Sequence, residues 1–336
     1  MTRITTISEF LLEAGTEYRI VDMGRAFRLL DNQAFLNIET AAAPAPLPRQ
    51  QMMWLGILFW NKSLSSQHYI WFIKLPLDER GNVITAQRDQ FLSIVVEALG
   101  TELLNDDSEK SLPDNPFLFT PNQAQLADFN SFAKKRLGLP PGQFYNDAKN
   151  YIARPDLHDW QIIAVQGLSD VVFNLNLDHN AKHIEQNFAS YDQVVQHSLL
   201  ASMENTALPE ALSQFLFQQL KAARPEEKIF NHLLRALTHF DGLTELRANL
   251  KVILEQSLST ADTLIVIAGR HWQLLEDYPF LTAYMQEAAR LDLLPALYSD
   301  LVQIPGLRDI MLQRLRDPER SELLAKGINQ LFGRSN

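Results

Sequence analysis

The chain has 336 residues, 46% of them hydrophobic and 21% charged, with no cysteine. Its 30 Lys+Arg against 40 Asp+Glu leave a formal net charge of −10, which repels a phosphate backbone unless basic residues gather on one face, and no long basic run occurs. The length implies two domains or one long repeat array, and the composition excludes collagen-like, disordered and disulfide-stapled chains.

Without thiolates, only His, Asp and Glu could hold a metal, and Fe–S clusters and Cys nucleophiles are excluded. Met1 to Leu12 carries Arg3, Glu9 and no apolar run ahead of a small-residue cleavage site, so secretion is not expected. Met52 to Trp60, the most apolar stretch, falls far short of the ~20 residues a bilayer crossing needs. The reading is a cytoplasmic protein without membrane spans.

In chain order, Ser8 ahead of Phe10, Leu11 and Leu12 suggests a short capped helix. Tyr18 to Met23 and Ala26 to Leu30, separated by Gly24, read as a hairpin or one bent strand, and Asp31 to Glu39 as a turn or two of helix. Ala41 to Pro48 breaks regular structure. Met53 to Trp60 and Tyr69 to Leu75, rich in aromatic and β-branched residues, predict two antiparallel strands. Over Thr85 to Leu99, Phe91, Ile94, Val95 and Ala98 share one helical face, with Gly100 placed to end it.

The acidic, proline-punctuated stretch Thr101 to Asn115 reads as a linker. Helices are predicted over Asn122 to Leu137 and Pro141 to Ile152, each introduced by proline near its first turn. Beyond Asp156 no strand pattern occurs. Helix follows helix, with breaks near Asp178, Leu208-Pro209, Arg224-Pro225, Asp241-Gly242, Tyr278-Pro279, Pro305-Gly306 and Asp317-Pro318. The expected organisation is a small α/β module over 1–110, a helical connector over 111–155 and a helical repeat domain over 156–336.

Aligned helix centres place Gly167, Ala201, Ala236 and Gly269 in register, separated by 34, 35 and 33 residues. An apolar residue precedes each by two: Val165, Leu199, Leu234 and Ile267. Small residues would let neighbouring helices approach, as in the stacked pairs of a HEAT-like α-solenoid; an irregular helical bundle is the alternative. The fold class expected is α+β, mainly α.

Chemical signatures are sparse. Neither G-x-G-x-x-G, nor G-x-x-x-x-G-K-[ST], nor G-x-S-x-G occurs, and Ser169 falls within a predicted helix as a surface or packing residue. His179 and His183 lie four apart but lack the glutamate of H-E-x-x-H, so an exposed pair is the better reading than a metal site. His232 and His239 read as surface or partly buried. No metal or cofactor is expected.

Three charged groupings remain. Asp22, Arg25, Asp78, Glu79, Arg88 and Asp89 sit at predicted element ends, as caps and ion pairs or as a polar site. Arg270-His271-Trp272 offers an interface anchor, or Trp272 belongs to the core. Arg308, Arg316 and Arg320 could bind an anion or pair with Asp300, Asp317 and Glu319.

Whole segments carry a resemblance: Tyr18-Arg19-Ile20-Val21-Asp22-Met23-Gly24-Arg25, Ile70 through Gly81, Asp114-Asn115-Pro116-Phe117, Gln166-Gly167-Leu168-Ser169-Asp170, Ile304 through Arg308, and Asp317-Pro318-Glu319-Arg320-Ser321. In these the chain resembles a proteobacterial family recorded only as a domain of unknown function, over essentially its whole length. The resemblance implies a bacterial cytoplasmic setting and carries no activity onto any residue. The physical reading favours a protein-interaction or adaptor role with another protein as partner. An enzyme using Asp78 or Glu79 as acid or base, with Arg25 or Arg88 holding an anionic substrate, is one alternative. Weak RNA binding through the carboxy-terminal arginines is another.

Overall fold

The computed structural model describes residues 4–61, 64–102, 113–318 and 320–333. Most of the expected linker, Thr101 to Asn115, lies outside them. The chain divides into two compact units, one of residues up to Pro121 with Gln303–Pro305, the other of Asn122–Val302 and Gly306 onward.

The first unit is a four-stranded antiparallel sheet with helices. Its strands are β1 (Thr16–Asp22), β2 (Arg28–Leu30), β3 (Met52–Asn61) and β4 (Leu64–Pro76), in the order β2-β1-β3-β4. Ile20 faces Ile57, and Ile57 faces Trp71. Because side chains alternate along a strand, Tyr18 and Ile20, Met53, Leu55 and Ile57, and Ile73 and Leu75 fall on one face. That face packs on Leu11 of α1 (Ile7–Glu13), Phe35 and Ile38 of α2 (Asn32–Glu39) and Phe91 and Val95 of α3 (Thr85–Glu102), all buried.

Local expectations need two corrections here. The cap of α1 is Thr6, whose hydroxyl accepts from the Glu9 amide; Ser8 lies inside the first turn. Gly100 does not end α3, which continues to Glu102. Gly24 does what a glycine between strands can do: a Cβ there would stand 2.4 Å from the Leu47 carbonyl oxygen.

The second unit is helical throughout its described residues. It runs through α4 (Gln123–Arg136), α5 (Tyr145–Ala153), α6 (Val165–Phe173), α7 (Asn180–Asn187), α8 (Gln193–Met203), α9 (Glu210–Ala222) and α10 (Lys228–Ala236). It continues with α11 (Leu243–Glu255), α12 (Ala261–Arg270), α13 (Tyr278–Arg290), α14 (Leu294–Leu301), α15 (Pro305–Leu315) and α16 (Glu322–Gly333). The stretch expected as a connector holds α4 and α5, and both pack on α6. α5 starts at Tyr145, later than the prolines suggest, and its N-cap Phe144 makes no side-chain cap.

Packing alternates. α4 packs on α6, α6 on α8, α8 on α10, α10 on α12 and α12 on α14, while α5 packs on α7, α7 on α9 and α11 on α13. Each helix supports this with one apolar face: in α10, Phe230, Leu233 and Leu234 are buried while Lys228 is exposed. Gly167, Ala201, Ala236 and Gly269 thus lie on successive helices of the first series, α6, α8, α10 and α12. The expected reason for them holds best at Gly167, where a Cβ would meet the Phe144 carbonyl oxygen at 2.4 Å. It fails at Gly269, where a Cβ would find no atom within 4 Å, and Ala201 lines a crevice. Small size at Gly269 leaves space open; it does not bring helices together.

Candidate functional site

The charged residues of the first unit stand at strand, turn and helix ends. Asp22 is fully buried at the end of β1, where Leu55 is its cross-strand partner, and its Oδ1 accepts from the Gly24 amide at 2.8 Å. Burial pushes its carboxyl up to about 7, against the pull of Gly24, Arg28 and Arg25. Arg25 donates to the Pro48 carbonyl at 2.9 Å. Asp78 closes its own turn, accepting from the Asn82 and Arg80 amides, and these bonds hold it below the usual carboxylate range. Glu79 is an exposed residue of that turn. Arg88, buried on α3, donates to the Glu39 carbonyl at the end of α2 and to Asp89 at 2.6 Å.

In the second unit, Arg270 reaches Glu204 and Trp272 is half-buried at the start of a 3₁₀ stretch. Arg308 donates to the Val302 carbonyl and Arg320 to that of Leu315; Arg320 and Arg316 are exposed, and Glu319 lies outside the described residues. Arg314, which the sequence did not single out as a site, is buried against Asp317 and Tyr278. His179, in a left-handed conformation, is the N-cap of α7; its carbonyl accepts from the His183 amide at 3.0 Å, and the two rings lie 6.4 Å apart.

A further polar cluster lies at a crevice of ≈ 390 Å³ between α4, α6 and α8. Each helix supplies residues four apart, which share a face: Ala124 and Asp128, Val165 and Ser169, Ser198 and Ser202. Asp128 is 2% exposed. Its Oδ1 accepts from Ser169 Oγ at 2.7 Å and Ser202 Oγ at 2.5 Å, and its Oδ2 from Asn205 Nδ2 at 2.8 Å. Burial nonetheless pushes the carboxyl up to about 6, because three neutral donors do not replace lost hydration.

His197 also lines the crevice, and its ring stacks on that of His232 of α10, centroids 4.1 Å apart and planes within 10°. Burial, then the mutual repulsion of the two imidazoles, pushes His232 down to about 4, and burial lowers His197 too. Both are therefore neutral near pH 7. Ser169 and Ser202 donate to a carboxylate and Ser198 to the Val194 carbonyl, so none of these serines donates to an imidazole as the acyl-transfer arrangement requires.

The sequence places Ser169 in a helix as a surface or packing residue, and the structure buries it. Asp128, Ser202, His197 and Glu204 carried no motif. The available signal was a row of polar residues interrupting apolar helix faces at Asp128, Ser169-Asp170 and Ser202.

Over residues 2–332 the chain matches the family described as protein of unknown function (DUF3549). The chain belongs to that family. The match covers both units and agrees with the resemblance carried by the quoted segments, and the DUF3549 description names no activity to set beside the crevice. Among curated proteins and among solved structures, nothing matches.

Proposed function

We propose that this chain is a bacterial, cytoplasmic protein-interaction scaffold, whose helical unit is HEAT-like in its alternating stacking and presents one helix series to another polypeptide. The supporting observation is an unburied face repeated on that series. On α8, Val194, His197, Ser198 and Ala201 fall three, four and seven residues along, one helical face, and none is buried; Val194 is 54% exposed. On α12, Ile265 is 51% exposed, with Val266 and Gly269 beside it half-buried. Stacked helices that leave apolar side chains on one series offer an extended contact surface.

The test is capture from a bacterial lysate with the full chain, followed by hydrogen exchange of the purified complex. Protection concentrated on α8 and α12, and loss of the captured protein by the double variant Val194→Asp, Ile265→Asp at unchanged melting temperature, is the expected result. A captured protein that binds the variant equally, or no protein above background, refutes the scaffold.

A further inference from the structure

Buried carboxylates in the helical unit come in two kinds. Glu204 is met by Arg235 and Arg270, and Glu287 by Arg290. Asp128 and Asp170, also buried, are joined by no Lys, Arg or His in an ion pair among the described residues; Asp170 accepts from Ser131, the Gly142 amide and Gln166, and the partners of Asp128 are two serines and an asparagine. A buried charge without a counter-charge is costly, and that of Asp128 opens onto a crevice.

The wall of the crevice is mainly apolar, and its serines turn acceptors toward it. Ser169 and Ser202 spend their hydroxyl hydrogens on Asp128, and Ser198 spends its own on the Val194 carbonyl at 2.8 Å. A serine hydroxyl has one hydrogen and two lone pairs, so the lone pairs are what remain for a guest. No Lys or Arg lines the space. Ala124, Val165 and Ala201 supply apolar wall.

We propose that this crevice binds an alkylammonium group, its nitrogen against Asp128 and the oxygens of Ser169 and Ser202, its carbon stem against Ala124, Val165 and Ala201. Acceptors arriving from three helices suit the tetrahedral donors of an ammonium better than the planar fork of a guanidinium. A free amine and a lysine of another chain both carry this group, so the inference does not depend on the scaffold reading.

Calorimetric titration of the full chain at pH 7.5 tests it, using n-butylammonium chloride, with n-butanol as the neutral match. Butylammonium is expected to bind at least tenfold more tightly than butanol. Asp128→Asn, which keeps the size of the side chain but removes the charge and one of its two acceptor oxygens, is expected to abolish that difference. Ser198→Leu, which fills the crevice from α8 without touching the carboxylate, is expected to weaken binding at least tenfold. Equal binding of the two probes, no binding of either, or full butylammonium binding by either folded variant overturns the proposal. Tighter binding of an acetyl-lysine-methylamide probe than of spermidine assigns the ammonium to a protein chain; the reverse assigns it to a free polyamine.

Discussion

Arg235 and Glu204 meet through two side-by-side hydrogen bonds, Nε to Oε2 at 2.7 Å and an Nη to Oε1 at 2.8 Å, so that α10 is tied to the C-cap of α8. Arg270, from the end of α12, reaches the same two oxygens at 3.1 and 3.2 Å. Burial works against the charge on Glu204, but the two guanidinium groups outweigh it and hold the carboxyl below its ordinary range. One acid therefore joins three helices of the same series.

Glu204→Gln leaves two guanidinium groups facing a neutral amide. Breaking a fully buried ion pair costs roughly 3–5 kcal/mol; because Arg235 and Arg270 keep partial exposure, a loss of about 2 kcal/mol is expected. Urea unfolding measures it, and Arg270→Ala, which leaves the Arg235 pair intact, should cost less.

Two glycines of the same series should respond in opposite directions. Gly167→Ala places a methyl against the Phe144 carbonyl and Ala148, forcing α5 and α6 apart, at a cost of about 1–3 kcal/mol. Gly269→Ala meets open space near the end of α12 and gains helix propensity, a stabilisation of up to about 1 kcal/mol. Thermal melts of the two variants give the comparison directly.

His271 is buried, donates its Nε2 hydrogen to the Leu234 carbonyl at 2.7 Å, and is pushed down to about 4, by burial first. Its folded pKa lies below the unfolded value, so the unfolded chain takes up the proton first. The stability it contributes is complete above about pH 6.5 and is lost as the pH falls towards about 4. His232 adds a loss of the same sign over the same window. His271→Gln should flatten the decline in unfolding free energy between pH 6.5 and 4.5; an unchanged slope would contradict it.

Asp22 carries the opposite sign. With a folded pKa near 7 against an ordinary carboxyl, the folded state holds the proton longer, and stability from this group falls as pH rises from about 4 to 7. Asp22→Asn keeps the oxygen that accepts from Gly24 and cannot ionise. The variant should gain on the wild type as pH is raised from 5 to 8, measured as the difference in melting temperature.

The strands, most helix breaks and the mainly helical fold class were legible because they rest on local composition and spacing: short runs rich in aromatic and β-branched residues at Met53 to Trp60 and Tyr69 to Leu75, and Asp-Gly or Pro between helical runs. Thr6 and Ser8 are equally competent caps by type, and the signal that separates them, Glu9 three residues after Thr6 against Leu11 three after Ser8, was missed. The break at Ser257–Thr260 was also missed, since its turn uses a serine at positive φ and not a glycine.

What the amino-acid order determined was which stretches are strand and which helix, most of the breaks between helices, and the recurrence of small residues at a near-constant interval, since these follow from near neighbours in the chain. Which polar groups meet was settled only in three dimensions: Ser169 and Ser202 reach Asp128 from 41 and 74 residues away, and Arg270 reaches Glu204 from 66. A buried polar atom takes as partner whatever the abutting helix face presents, and that face is chosen by packing, about which the local pattern is silent.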